Sequence, residues 1–111
     1  MNKERKIRAY GKYFLEFYQS LSEGAKNKID YVLDMLKTQE RVHIKFVKYI
    51  REGVYEIRAE HSGNIYRVFF IFDDGDIVVL FNGFQKKSQK TPEKEIKQAI
   101  KLKEEYYGNK K

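Results

Sequence analysis

Residues 53–85, GVYEIRAEHSGNIYRVFFIFDDGDIVVLFNGFQ, decide the fold. Within them GVYEIRAEH, NIYRVFFIF and DIVVLFNGFQ alternate with a period of two, the spacing at which strand side chains switch faces. Ser62-Gly63 and Asp74-Gly75 separate the three runs. A polar residue followed by glycine suits a two-residue hairpin turn, whose central residues need positive φ. The stretch predicts a three-stranded antiparallel meander.

Two-residue turns fix the register: Arg58 lies opposite Arg67, Ile57 opposite Val68, and Arg67 opposite Asn82. One face then carries Tyr55, Ile57, Tyr66, Val68, Phe70, Ile77, Val79 and Phe81, and must be buried. The other mixes Glu56, Arg58, Arg67, Asn82 and, if the last strand continues, Lys86 with Ile65, Phe69, Ile71, Val78, Leu80 and Phe84. Like charges opposite each other destabilise a sheet. Either Glu56 and Glu60 neutralise the arginines in a surface ladder, or the arginines form an anion site, since their forked donors match phosphate oxygens.

Upstream of the meander, Ile7 to Tyr10 fit a short strand. Tyr13, Phe14, Phe17, Tyr18 and Leu21 recur at steps of three and four, predicting a helix that ends near Leu21. Ser20 and Ser22 are cap candidates for a second helix through Ile29, Val32, Leu33 and Leu36 to about Gln39. Residues 41–51 read as a basic connection containing His43, and His61 falls at a hairpin turn; both histidines are expected in exposed loops. Downstream, Thr91-Pro92-Glu93 supplies a cap, a first-turn proline and a first-turn acid. The last helix is expected to run to about Tyr107 and stop at Gly108, leaving Lys110-Lys111 frayed. The expected class is α+β, with an N-terminal helical hairpin packed on a twisted antiparallel sheet and a C-terminal helix, as one domain over residues 1–111.

Composition narrows the chemistry. The 111 residues contain no cysteine and two separated histidines, which excludes a disulfide scaffold, a thiol nucleophile and a zinc ribbon and disfavours a metal site. The opening MNKERKIRAY lacks the apolar core of a secretory signal, and no stretch reaches the ~20 apolar residues of a membrane span. A cytoplasmic protein without membrane attachment is expected. The net charge of +7 concentrates in two acid-free stretches, RVHIKFVKYIR (41–51) and FQKKSQKT (84–91), a distribution suited to a polyanion.

GVYEIRAE, NIYRVFFIF and above all the block FNGFQKKSQKTPEKEI, from Phe81 to Ile96, resemble the RelE/ParE superfamily of bacterial toxins, in its HigB-like, phage Gp49-like branch. That resemblance implies a helical hairpin on a twisted antiparallel sheet. It implies a ribosome-dependent, metal-free mRNA endoribonuclease needing no cofactor. Its partners would be the ribosome, mRNA and a cognate antitoxin encoded beside it, small and acidic or of helix-turn-helix type. By motif position Arg58 matches the arginine of the family's ELR strand, Arg67 that of YR, and Lys86 with Lys87 the tandem lysines. Other branches place a histidine and a tyrosine near those lysines; this chain has neither there, so the general acid and base are unassigned by the resemblance.

Metal-free RNA cleavage requires in-line positioning, charge stabilisation and proton transfer. Arg58 and Arg67 are the candidates for charge stabilisation and Lys86 for protonation of the leaving oxygen, with Lys87 beside it as a further catalytic candidate. Glu56 is a candidate base on condition that no salt bridge ties it up. Lys45, Lys48, Arg51, Asn82 and Lys90 are candidate RNA contacts, and Phe84 a candidate stacking platform. Two other readings use the same fold: a ParE-like toxin that inhibits gyrase by protein contact, and a module that binds RNA without cutting it.

Overall fold

The computed structural model describes residues 4–86 and 91–110, with Lys86 given by its backbone. In chain order the elements are β1 (Lys6–Ala9), α1 (Tyr13–Gln19), α2 (Glu23–Thr38), β2 (Val47–Arg51), β3 (Val54–His61), β4 (Asn64–Asp73), β5 (Ile77–Lys86) and α3 (Glu93–Asn109). The strands form one sheet in the order β1-β5-β4-β3-β2. β1 runs parallel to β5 and the other pairs are antiparallel. The α+β class and the placement of the helices agree with the expectation.

The sheet has one strand more than the sequence pattern suggested. β2 comes from the stretch read as a basic connection, and it closes on β3 through Glu52-Gly53, with φ of 52° and 82°. Its basic residues masked an alternating VKYIR. The β3–β4 hairpin matches the expectation: Ser62 and Gly63 have φ of 51° and 78°, and Arg58 faces Arg67. Gly63 takes the left-handed conformation without the Cβ clash any other residue would suffer.

The β4–β5 hairpin differs. Asp73 pairs with Ile77, so three residues form the turn rather than two. The third, Asp76, accepts from the Lys6 N–H at 2.9 Å and is thereby held by the edge strand β1. Every β5 side chain as far as Phe81 is consequently on the face opposite to the expected one. Val78 and Leu80 pack with Val68 and Phe70, while Val79 and Phe81 pack with Phe69 and Ile71. The register shifts again between Val68↔Gly83 and Phe70↔Leu80, where Phe81 and Asn82 together oppose Phe69. This β-bulge returns Phe84 to a position opposite Arg67, and Lys86 to one opposite Ile65.

Both faces of the sheet are covered, which corrects the expectation of one buried and one open face. α1 and α2 bury Phe14, Ile29, Val32 and Leu36 against Ile57, Val68, Phe70, Val78 and Leu80. α3 buries Ile96, Ala99, Leu102 and Tyr106 against Val54, Phe69, Ile71, Val79 and Phe81. The caps also differ in part. Ser22 caps α2, accepting from the Ala25 N–H, whereas Ser20 ends α1 and donates to the Phe17 carbonyl. Thr91 does not cap α3, and the helix continues through Gly108 to Asn109. Among the described residues no helix is long and apolar enough to cross a membrane.

Gly83 owes its identity to packing. A Cβ there would lie 2.4 Å from Cδ2 and 2.9 Å from Cγ of Phe17, so the α1 ring rests directly on the β5 backbone. Gly83→Ala is expected to destabilise the fold by about 1–3 kcal/mol through overpacking. Urea unfolding would read this as a lower midpoint, with partial recovery when Phe17→Leu is added.

Candidate active site

Arg58 and Arg67 face each other across β3 and β4 on the face that carries α3. Their environments diverge. Arg67 is only 2% exposed, and its Nη1 donates to Glu56 Oε1 in a short contact within the sheet. Glu56 is fully buried, and its Oε2 accepts from the Thr91 hydroxyl at 2.9 Å. Arg58 stays half-exposed. The like-charge pair is thus resolved asymmetrically: one guanidinium goes inward to a carboxylate, and the other stays at the surface.

Glu56 therefore fails the condition attached to it as a base, since a buried cation holds one oxygen and a hydroxyl the other. Arg67 retains donor capacity: its Nε and Nη2 are buried without a hydrogen-bond partner among the described residues. Unsatisfied donors on a buried charge are costly.

Phe84 lies on the arginine face, stacked on Phe69 with centroids 5.6 Å apart and planes at 28°. Lys86 occupies the same face by register, two residues beyond. Its side chain, Lys87 and Lys90 lie outside the described residues. Lys48, opposite Glu56 on β2, is exposed on this same face. Lys45 is exposed beside the Phe46 ring.

Two expected RNA contacts are engaged internally. Arg51 forms a forked pair with Glu93 at 2.7 and 2.8 Å, which holds its guanidinium pKa above the usual value. Asn82, in the bulge, directs its amide at the Glu95 carbonyl and Oε1 of α3, both at 3.3 Å. His43 is exposed as expected. His61 is half-buried, with its ring so close to the α2 backbone that a Cβ on Gly24 would meet it at 2.1 Å. Strand parity reveals neither the Thr91–Glu56 bond nor these contacts to α3, because each joins elements far apart in sequence.

α3 determines which part of the face stays open. Its start is tied down through Glu93 and Glu95, and its end through Asp73. Tyr106 Oη donates to Asp73 Oδ2 at 2.5 Å, and Lys110 Nζ donates to the same oxygen at 2.8 Å. The last lysines are not wholly frayed, as Lys110 is anchored. Arg58, Glu60 and Ile65 lie beyond the residues that α3 packs on, Phe84 packs against the border of that cluster, and each keeps some exposure.

Comparison with solved structures supplies the class. A chain in the crystal structure of the archaeal RelE–RelB complex from Pyrococcus horikoshii OT3 is similar, with a TM-score of 0.54 and 15% identity. The similarity covers 78% of this chain and 98% of that one. The fold is therefore that of the RelE-like α+β proteins. More narrowly, residues 16–104 match the family described as phage derived protein Gp49-like (DUF891), and the chain belongs to it. No curated protein matches.

Removing Glu56 would strand a buried guanidinium. Glu56→Ala is expected to cost about 3–5 kcal/mol of stability, and Thr91→Val about 1 kcal/mol, both read from denaturant midpoints.

The α3 anchor predicts the pH dependence. The Lys110 ammonium and then the Tyr106 hydroxyl hold the Asp73 carboxyl below its usual pKa. Burial and then Asp73 push the Tyr106 phenol up, and Asp73 raises Lys110. A lowered carboxyl stabilises the fold above about pH 4, its unfolded value, and that contribution is lost as pH falls further. Raised phenol and ammonium groups stabilise below about pH 10, and that contribution is lost as pH rises through their folded values. Melting temperature should fall at both extremes, and Asp73→Asn should flatten both limbs.

Proposed function

We propose that this protein is the toxin of a type II toxin–antitoxin pair and a metal-free endoribonuclease that cuts mRNA on the ribosome. The reading is supported above all by the partly exposed Arg58, which faces the buried Arg67 on the neighbouring strand at the end of the sheet beyond the main contacts of α3. Family membership supports it independently.

In the proposed reaction the ribose 2′-hydroxyl gives its proton to solvent as its oxygen attacks the adjacent phosphorus, while the bond to the 5′-oxygen breaks. The products are a 2′,3′-cyclic phosphate and a 5′-hydroxyl, and no water is consumed. Negative charge builds on the non-bridging oxygens, and preorganised cations in a partly dry site stabilise it strongly. Arg58 contacts those oxygens. Arg67 adds donors from the adjacent strand, held by Glu56, which serves to position it rather than to take the 2′-hydroxyl proton. Lys86, aided by Lys87, protonates the leaving 5′-oxygen. Lys48 and Lys90 bind flanking phosphates, and Phe84, already braced by Phe69, stacks on a base.

The chemistry of this face also fits an acidic antitoxin. A small acidic or helix-turn-helix partner, encoded beside the toxin, would cover the same cations.

Arg58→Ala is expected to lower mRNA cleavage in a purified translation system by about 10²–10³-fold, with an unchanged unfolding midpoint because the side chain is half in solvent. Full cleavage by this variant would remove Arg58 from the reaction. Growth arrest by the wild type with intact mRNA and DNA-damage signalling would instead favour the gyrase-inhibiting class.

A further inference from the structure

Past the end of β2 the outer edge of β3 is unpaired among the described residues, and a cavity opens against it. β2 pairs with β3 from Arg51↔Val54 to Val47↔Ile57, after which the Arg58 N–H donates to the Phe46 carbonyl at 2.8 Å. Residues two apart in a strand direct their backbone groups to the same side. The N–H and C=O of Glu60 therefore point outward, beyond the last residue of that pairing.

The cavity measures about 270 Å³. Its aromatic wall is Tyr31 of α2 and Phe46, which meet edge to face at 6.0 Å and 83°. Tyr31 is 57% exposed, so one side of a braced ring faces solvent. Lys28, Lys45 and Arg58 contribute three cations to the lining, against the single acid Glu60. Arg58 belongs both to this lining and to the candidate active site.

We infer that this cavity receives one base of single-stranded RNA, stacked on Tyr31, with the flanking phosphates held by Lys28 and Lys45. The inference rests on the ribonuclease reading and names a subsite for its substrate. Three features converge on it. A partly braced, partly open aromatic ring is a platform for any base. Adjacent lysines suit the backbone on either side of that base. The bare edge at Glu60 offers a donor and an acceptor to the hydrogen-bonding edge of a base. The volume lies just below the range of about 300–1,000 Å³ typical of drug-sized ligand pockets, enough for one planar ring system. The shared lining at Arg58 leads the strand from here to the scissile phosphate.

A hexaribonucleotide carrying one 5-iodouridine would be irradiated with the full chain, the crosslinked residue mapped by mass spectrometry, and affinity measured across salt concentrations. The crosslink is expected at Tyr31 or Phe46. Tyr31→Ala should weaken binding about tenfold without altering the salt slope, whereas Lys28→Ala and Lys45→Ala should each reduce that slope by about 0.7. An abasic nucleotide should weaken wild-type binding as much as Tyr31→Ala does, and should add nothing in that variant. Tyr31, Lys28 and Lys45 are all exposed, so the variants are expected to fold.

Crosslinks confined to other residues, with wild-type affinity in Tyr31→Ala, would overturn the inference. So would an acidic peptide that occupies the cavity when RNA does not. Cleavage of mRNA that is unaffected by Tyr31→Ala, together with absent crosslinks, removes the subsite and leaves the nuclease standing. A Tyr31 crosslink in a protein that leaves mRNA intact supports the base site and removes the nuclease. On programmed ribosomes the same crosslink is expected to the message, and a crosslink to ribosomal RNA alone would overturn the assignment of this subsite to the substrate.

Discussion

A carboxylate and a guanidinium, both almost completely removed from water, hold one end of the sheet together. The two-residue turn at Ser62-Gly63 sets Arg58 against Arg67 and places Glu56 on the diagonal to Arg67. Two opposed arginines on one face repel each other. The repulsion is relieved when Arg67 takes the buried carboxylate and Arg58 stays in contact with solvent. A buried ion pair needs further hydrogen bonds to offset its desolvation. Glu56 obtains one from Thr91, the residue two before α3, so the same carboxylate couples the sheet to the start of the covering helix.

A second constraint aligns β5 with that pair. The three-residue turn at Asp74–Asp76 inverts the faces of Ile77 to Phe81, which lets Val79 and Phe81 meet α3 while Val78 and Leu80 meet the N-terminal helices. The bulge at Phe81 and Asn82 then restores the parity, and Phe84 and Lys86 return to the arginine face. Without the bulge those two residues would face α1 and α2. Gly83, immediately after it, supplies the bare backbone on which Phe17 rests. One short segment thus joins the two cores and orients the cationic end of the strand.

Membership of the Gp49-like family and likeness to a RelE–RelB chain at 15% identity describe a scaffold that carries different activities. The cations of this chain are divided between the scaffold and the surface. α3 and its internal pairs, Arg51 with Glu93 and Lys110 with Asp73, use some cations for structure. Arg58, Lys48, Lys45 and Lys28 are left on one end of the sheet and its adjoining edge. Arg51, which is paired, and Lys48, which is exposed, sit on the same strand, and only their surroundings separate them.

Much of this was legible in the sequence, because local spacing acts over a few residues. The period of two in residues 53–85 gave β3, β4 and β5, the steps of three and four gave the helices, and the Ser62-Gly63 turn gave the Arg58–Arg67 pairing. The block from Phe81 to Ile96 carried the family. β2 was hidden by its basic residues, although Glu52-Gly53 repeats the turn signal of the other hairpins. Tertiary structure alone decided the third turn residue at Asp76, which depends on an edge strand seventy residues away, and with it the face of every side chain from Ile77 to Phe81. It alone decided that Glu56 is buried and shared by Arg67 and Thr91. Those outcomes depend on which surfaces exclude water from which charges, and that is fixed only when elements distant in sequence come into contact.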